Sequence, residues 1–224
     1  MSMWFGFISK YLESLGLSVT ASEKRFDLIT RGTQPEVLFQ VAHPSPTLAI
    51  WHRTLTQDLE TAAAAASVKT FEIVALLDPF CEKDCMRFSQ QLTSIPKSLS
   101  KHLAKDLIVL SQYFAKASQA KSVRVRLETV ADDGCSKFHL DNVTMRLVVT
   151  YAGPGTQWVP PAFALAARDR QENYTGPLNA IATGDVAIFR GKKSRCADLV
   201  FHRSPPLRAG DSTRVVAVID AIGH

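Results

Sequence analysis

"SVRVRLETV", residues 122–130, is where the chain changes its period. Val123, Val125 and Leu127 alternate with Arg124, Arg126 and Glu128. Successive side chains of an extended chain point to opposite faces, so the stretch reads as a strand with one apolar and one charged side. Four further runs follow: "MRLVVTYAG" (145–153), "GDVAIFRG" (184–191), "ADLVFHRS" (197–204) and "TRVVAVIDA" (213–221). They are short, rich in β-branched residues and separated by Gly, Pro, Asp and Ser turns, the pattern of an all-β sandwich or barrel.

Upstream the pattern is mostly helical. "QPEVLFQVAHPSPTLAIWHR" (34–53) breaks it with an extended segment and a Pro44-Ser45-Pro46 turn. "TLTQDLETAAAAASV" (54–68) favours a helix through its alanines. "DPFCEKDCMRFSQQLTSI" (78–95) predicts a helix starting at Asp78-Pro79, with aspartate as the cap and proline at the first position. In "KSLSKHLAKDLIVLSQYFAKAS" (97–118), Leu99, Leu103, Leu107, Leu110 and Phe114 recur three or four apart, as on one helix face. The expectation is an α+β chain of one domain, 1–224. Residues 1–121 form a mainly helical support and 122–220 the β core, since neither half looks self-sufficient.

The bulk properties agree with one soluble core. The chain has 224 residues, 46% hydrophobic and 21% charged, with formal net charge +5. Its basic residues are scattered without interleaved aromatics, so no nucleic-acid partner is expected, while an anionic small substrate stays compatible. No apolar run reaches the ~18 residues of a membrane span. The opening "MSMWFGFISKYLESLGL" places Trp4, Phe7, Ile8, Tyr11, Leu12 and Leu15 at helical spacing. It reads as an amphipathic helix on the body, or alternatively a membrane-surface anchor, and not as a signal peptide. Cys81, Cys85, Cys135 and Cys196 do not make a disulfide scaffold in a chain this long, and a reducing cytoplasm fits them. A zinc site at the Cys81/Cys85 pair lacks a matching second pair nearby.

"KFHLDN" (137–142) carries the chemistry. His139 and Asp141 stand two apart, so in an extended segment they project together. Of the six histidines, His202 lies in a strand-like run of the β half, 61 positions after Asp141. Two histidines and one carboxylate form a facial triad for a non-haem Fe(II) centre with open positions. The alternative is an ordinary turn and a core histidine. Arg214 follows His202 by 12 positions across "RSPPLRAGDS", and a hairpin would put the two on adjacent strands. An inward arginine on a strand reading Val-Val-Ala-Val-Ile needs an anionic partner, and its planar fork suits a carboxylate. The alternative is that Arg214 points to solvent. Cys135 and Cys196 precede His139 and His202 and could sit at the metal mouth, where a thiolate would favour zinc, or be ordinary cysteines. "GPGTQW" (153–158) reads as a tight turn folding Trp158 over an opening. His43, Trp51 and His52 read as filler or as a substrate lid.

The order of "FHLD", "RLVVTYAGPGTQW", "GDVAIFRG" and "VFHRSPPLRAGDSTRVVAVID" resembles the 2-oxoglutarate/Fe(II) dioxygenases, in particular their prolyl-4-hydroxylase-like branch. Gly184, Asp185 and Phe189 match one motif, and His202, Pro206, Gly210 and Arg214 the last, with Pro-Pro for the usual Pro-Val. More closely, the wording "C-x-K-F-H-x-D-N" and "T-Y-x-G-P-G-T" resembles an uncharacterised bacterial domain family of unknown function. The resemblance implies a C-terminal double-stranded β-helix (jelly-roll, cupin-like) buttressed by N-terminal helices. It implies His139, Asp141 and His202 as Fe(II) ligands and Arg214 as the clamp on the far carboxylate of 2-oxoglutarate, with Thr150 or Tyr151 as hydroxyl partners. The implied reaction is hydroxylation of a small-molecule or peptidyl substrate. Two rivals stand beside it: a cupin-like Fe or Zn protein without turnover, and a non-catalytic β-barrel interaction module.

Overall fold

The chain is described here as a computed structural model covering residues 27–92, 97–131, 135–206 and 213–222. The helix expected at the start of the chain lies outside these residues. The strands are β1 (Ile29–Gly32), β2 (Leu48–Trp51), β3 (Glu72–Leu77), β4 (Ser122–Val130), β5 (Met145–Ala152), β6 (Gln157–Trp158), β7 (Asn179–Ala180), β8 (Val186–Arg190), β9 (His202–Arg203) and β10 (Arg214–Ile222). The helices are α1 (Gln57–Ser67), α2 (Glu82–Gln91), α3 (Lys97–Ser118) and α4 (Ala164–Arg170), with a 3-10 helix at Pro35–Ala42.

Among the described residues the strands form two sheets. The larger has seven strands in the order β1-β2-β8-β5-β10-β4-β3, antiparallel throughout except for β1 with β2. The smaller has three, β7-β6-β9. The alternation of residues 122–130 explains how the large sheet is used. Val123, Val125 and Leu127 face the helices and join Leu147, Val149, Val215, Ala217 and Ile219 in one core. Each valine, leucine or isoleucine among them, fully buried, contributes roughly 1.5–3 kcal/mol. The opposite face packs Leu48, Ile50, Val148, Ala187, Phe189, Val216 and Val218 against Trp158, Ile181 and Val200 in a second core. β10 belongs to both cores, which is why it reads as a nearly unbroken apolar run.

The helical layer forms as its sequence dictates. Thr56 caps α1, its hydroxyl accepting from the Leu59 amide, and the small Ala62, Ala63 and Ala66 are buried where the helix meets the core. Leu103, Leu107, Leu110 and Phe114 bury the inner stripe of α3. α2 starts at Glu82, later than the expected Asp78-Pro79, because Asp78 is used otherwise. Its carboxylate accepts from the Phe80 amide and its own amide donates to Asp84, building a turn before the helix.

The N-terminal region holds more than helices. It also supplies β1, β2 and β3, which occupy both edges of the large sheet. In "ADLVFHRS" only His202 and Arg203 pair as a strand. Nor do β9 and β10 form a hairpin: β9 pairs with β6 in the small sheet, while β10 pairs with β4 and β5. His202 and Arg214 therefore lie in different sheets and line one cavity instead of standing side by side on adjacent strands.

Candidate metal centre

His139 and His202 are held opposite each other by backbone bonds in both directions. The His139 amide donates to the His202 carbonyl at 2.9 Å, and the His202 amide to the His139 carbonyl at 3.1 Å. Their rings stand 4.8 Å apart. Each Nδ1 faces the carbonyl two residues back, Lys137 for His139 (2.8 Å) and Val200 for His202 (3.3 Å). A carbonyl only accepts, so the proton belongs on Nδ1 and Nε2 keeps its lone pair. Both Nε2 atoms approach Asp141, that of His202 3.1 Å from Oδ2 and that of His139 3.9 Å from Oδ1.

The three donors lie within 4.8 Å of one another and could hold one metal ion. Asp141 is 5% exposed, and its Oδ2 accepts no hydrogen bond from the described residues. Burial alone would raise the Asp141 pKa, but His202, Arg146 and His139 outweigh it and hold the carboxylate below its usual range. Burial, with His202 beside it, pushes His139 down and favours its neutral form. Two imidazole nitrogens and a carboxylate oxygen converging in one place need a proton or a metal cation between them. The donor set therefore fits a divalent metal.

Arg214 lies in the wall of the same cavity, about 230 Å³ in volume, that His139, Asp141 and His202 line. It is 1% exposed. Its Nε donates to the Pro154 carbonyl (2.7 Å), Nη1 to Ser204 Oγ (2.8 Å) and Nη2 to Thr150 Oγ1 (3.5 Å). Among the described residues no carboxylate lies within ion-pair distance of it. Burial accordingly lowers its pKa to about 10. Gly153, with φ +76°, brings the turn after β5 against Arg214, where a Cβ would stand 3.0 Å from the arginine Cγ.

Other expected residues have different placements. Thr150 is on the cavity face of β5, and Tyr151, its neighbour, is necessarily on the other. The Tyr151 hydroxyl donates to Asp106 at 2.6 Å, where Arg53 forks onto the same carboxylate, so it has no part in holding Arg214. Burial and Asp106 hold that phenol well above its usual range. Cys135 lines the cavity, but Cys196 instead accepts from Arg190. Cys81 and Cys85 join no metal-holding group among the described residues. Trp158 is buried between the sheets in register with His202 instead of covering an opening. Phe189 packs its ring 4.4 Å from that of His202. Asp185 accepts from the Arg53 amide and stands 2.6 Å from His52, tying the loop after β2 to the start of β8.

Arg146 and Asp220 are the residues that sequence reasoning missed. Arg146 donates through Nη1 to Asp141 Oδ1 and through Nε and Nη2 to both oxygens of Asp220, at 2.7 and 2.8 Å. The signal was available: each is a charged residue on the inward face of a strand that otherwise reads apolar.

Residues 32–220 match the family described as "Protein of unknown function (DUF1826)". No curated protein matches the chain. Solved structures similar to it include a Pseudomonas putida prolyl-4-hydroxylase, at TM-score 0.40 and 11% identity over 84% of this chain and 99% of that one. A putative oxygenase from Shewanella oneidensis gives TM-score 0.41 and 11% identity over 88% and 89%. A full-length Neurospora crassa protein in complex with alpha-KG gives TM-score 0.45 and 9% identity over 86% and 83%. No helix among the described residues is long and apolar enough to cross a membrane.

Proposed function

The chain belongs to the DUF1826 family, and from that starting point we propose that it is an Fe(II)/2-oxoglutarate-dependent oxygenase hydroxylating a small molecule or a peptidyl side chain. The observation that carries this reading is Arg214: a buried guanidinium, without a carboxylate partner among the described residues, in one cavity with the His139, Asp141 and His202 donors. A protein that only stored a metal would gain nothing from a buried cation beside it.

In this reading His139 Nε2, Asp141 Oδ2 and His202 Nε2 would hold the iron. Iron with 2-oxoglutarate would supply O₂ activation coupled to oxidative decarboxylation. The chain does the rest. Arg214, oriented by Pro154, Ser204 and Thr150, would take the distal carboxylate of the co-substrate in its fork. Val148, Val216 and Val218 supply the apolar part of the cavity wall, and Phe189 packs against the His202 ring. The half-open side of His139, 38% exposed, marks where a substrate would enter. The two sheets would be the halves of a double-stranded β-helix carried mainly by 122–220, with β1, β2 and β3 extending the larger sheet and the helices as support. A reducing, cytoplasmic setting would keep the iron ferrous and the four thiols free.

A second reading, a cupin-like Fe or Zn protein without turnover, draws on Cys135 in the cavity wall. One experiment separates them. Anaerobic addition of Fe(II) and then 2-oxoglutarate to the full chain should give a metal-to-ligand charge-transfer band that is lost in Arg214→Ala. A wild-type protein that binds iron but gives no band supports the second reading and overturns the first.

A further inference from the structure

We infer that Arg146, anchored by Asp220, is a positioning residue that presents Asp141 to the metal through a single oxygen. The inference rests on the metal-centre reading above and adds how the carboxylate is aimed.

Asp141 has two oxygens in different states. Oδ1 is taken by Arg146, while Oδ2 is buried and accepts nothing from the described residues. A carboxylate free at both oxygens can chelate a cation and occupy two of its positions. With Oδ1 occupied, Asp141 contributes one ligand, and with two imidazoles that leaves three positions of an octahedral ion open. Those are the positions a chelating co-substrate and a gas molecule would need.

Arg146 can do this because it is itself anchored. It stands directly opposite Asp220 in the β5–β10 register and engages both oxygens of that carboxylate. The flanking pair, Leu147 and Ile219, is fully buried in the core on the other face. Arg124 approaches Asp220 from β4 at 3.9 Å, so opposite charges alternate along Arg124, Asp220, Arg146 and Asp141. The main chain of Asp141 is held too. Its carbonyl accepts from the Lys192 amide at 2.9 Å, and a Cβ at Gly191 would lie 2.7 Å from that carbonyl oxygen. Main chain and Oδ1 are both fixed, which leaves Oδ2 as the free donor.

Co(II) titration of the full chain, followed by visible absorption, tests this without turnover. Arg146→Lys keeps the charge but loses the fork, so one ammonium cannot serve both carboxylates. Its Co(II) dissociation constant should rise about 10–100-fold, the range for lost outer partners of a ligand. Its ligand-field spectrum should change as the second oxygen of Asp141 enters. Asp220→Asn, which keeps Arg146 but loosens its anchor, should shift both readouts in the same direction by less. If both variants fold by circular dichroism and bind Co(II) with wild-type affinity and spectrum, the inference is wrong. If Arg146→Lys does not fold, Asp220→Asn decides alone by the same criteria. A wild-type protein that binds no Co(II) sinks the metal reading and this inference together, whereas unchanged variants beside a binding wild type sink the inference only.

Discussion

Arg214→Met should make the ligand-free protein more stable while removing its response to 2-oxoglutarate. Burial lowers the Arg214 pKa from its ordinary value to about 10. At about 1.4 kcal/mol per pH unit, keeping the charged form buried costs about 3 kcal/mol. The folded pKa lies below the unfolded one, so this cost is fully present below pH 10. It fades only above, where the folded protein sheds the proton that the unfolded chain keeps. Methionine removes the charge at similar length, but it leaves the Pro154 carbonyl and Ser204 hydroxyl without their donor, at about 1 kcal/mol each. The expected net gain is about 1 kcal/mol in urea unfolding near neutral pH. With metal present, 2-oxoglutarate at a hundredfold its dissociation constant should add about 2.7 kcal/mol to the wild type and nothing to the variant. A variant that loses about 2 kcal/mol or more and still gains from the ligand would falsify both the cost assigned to this guanidinium and its role as the carboxylate clamp.

Three further outcomes follow from the same contacts. Tyr151→Phe should lower stability by about 1 kcal/mol, since Asp106 keeps its Arg53 partner; its Fe(II) and 2-oxoglutarate binding should match wild type, and a lost charge-transfer band would contradict the placement of Tyr151 away from the cavity. Gly155→Ala should destabilise by more than about 3 kcal/mol in urea unfolding, because a Cβ there would lie 1.7 Å from the Ile181 carbonyl oxygen; a neutral result refutes that packing. In an NMR pH titration of the metal-free protein the His139 imidazole should titrate below the ordinary histidine range. Burial and the neighbouring His202 are the cause, and a His139 that titrates at or above the ordinary range would contradict the half-buried placement of its ring beside His202.

Parts of this site are legible from local patterns because local geometry decides them. The two-residue spacing of His139 and Asp141 and the strand around His202 mark candidates. Their convergence depends on the His139–His202 bridge, a long-range pairing that no local pattern encodes. Parity alone separates Thr150 from Tyr151: Arg146, Val148 and Thr150 share a face of β5, and a period-two count places Tyr151 opposite. The rule that marked Arg214, that a charge on an inward strand face needs a partner, applies equally to Arg146 and Asp220. β1 and β2 are four residues each, too short to show alternation, and the apolar run of β3 is ambiguous between helix and strand. The expected hairpin does not form because β9 pairs with β6 in the small sheet and β10 with β4 and β5 in the large one, pairings distant in sequence.

The placement of Arg146 between two aspartates also bears on how the chain can diverge. Replacing Arg146 takes from Asp141 its cationic partner and from Asp220 its nearest one, and replacing either aspartate takes from Arg146 one of its two anionic partners, so the cost falls on the neighbours that did not change. Single steps at these positions are therefore disfavoured. Across divergent relatives the three should be retained as a set or exchanged as a set, with a neutral triplet marking a branch that has given up its ion.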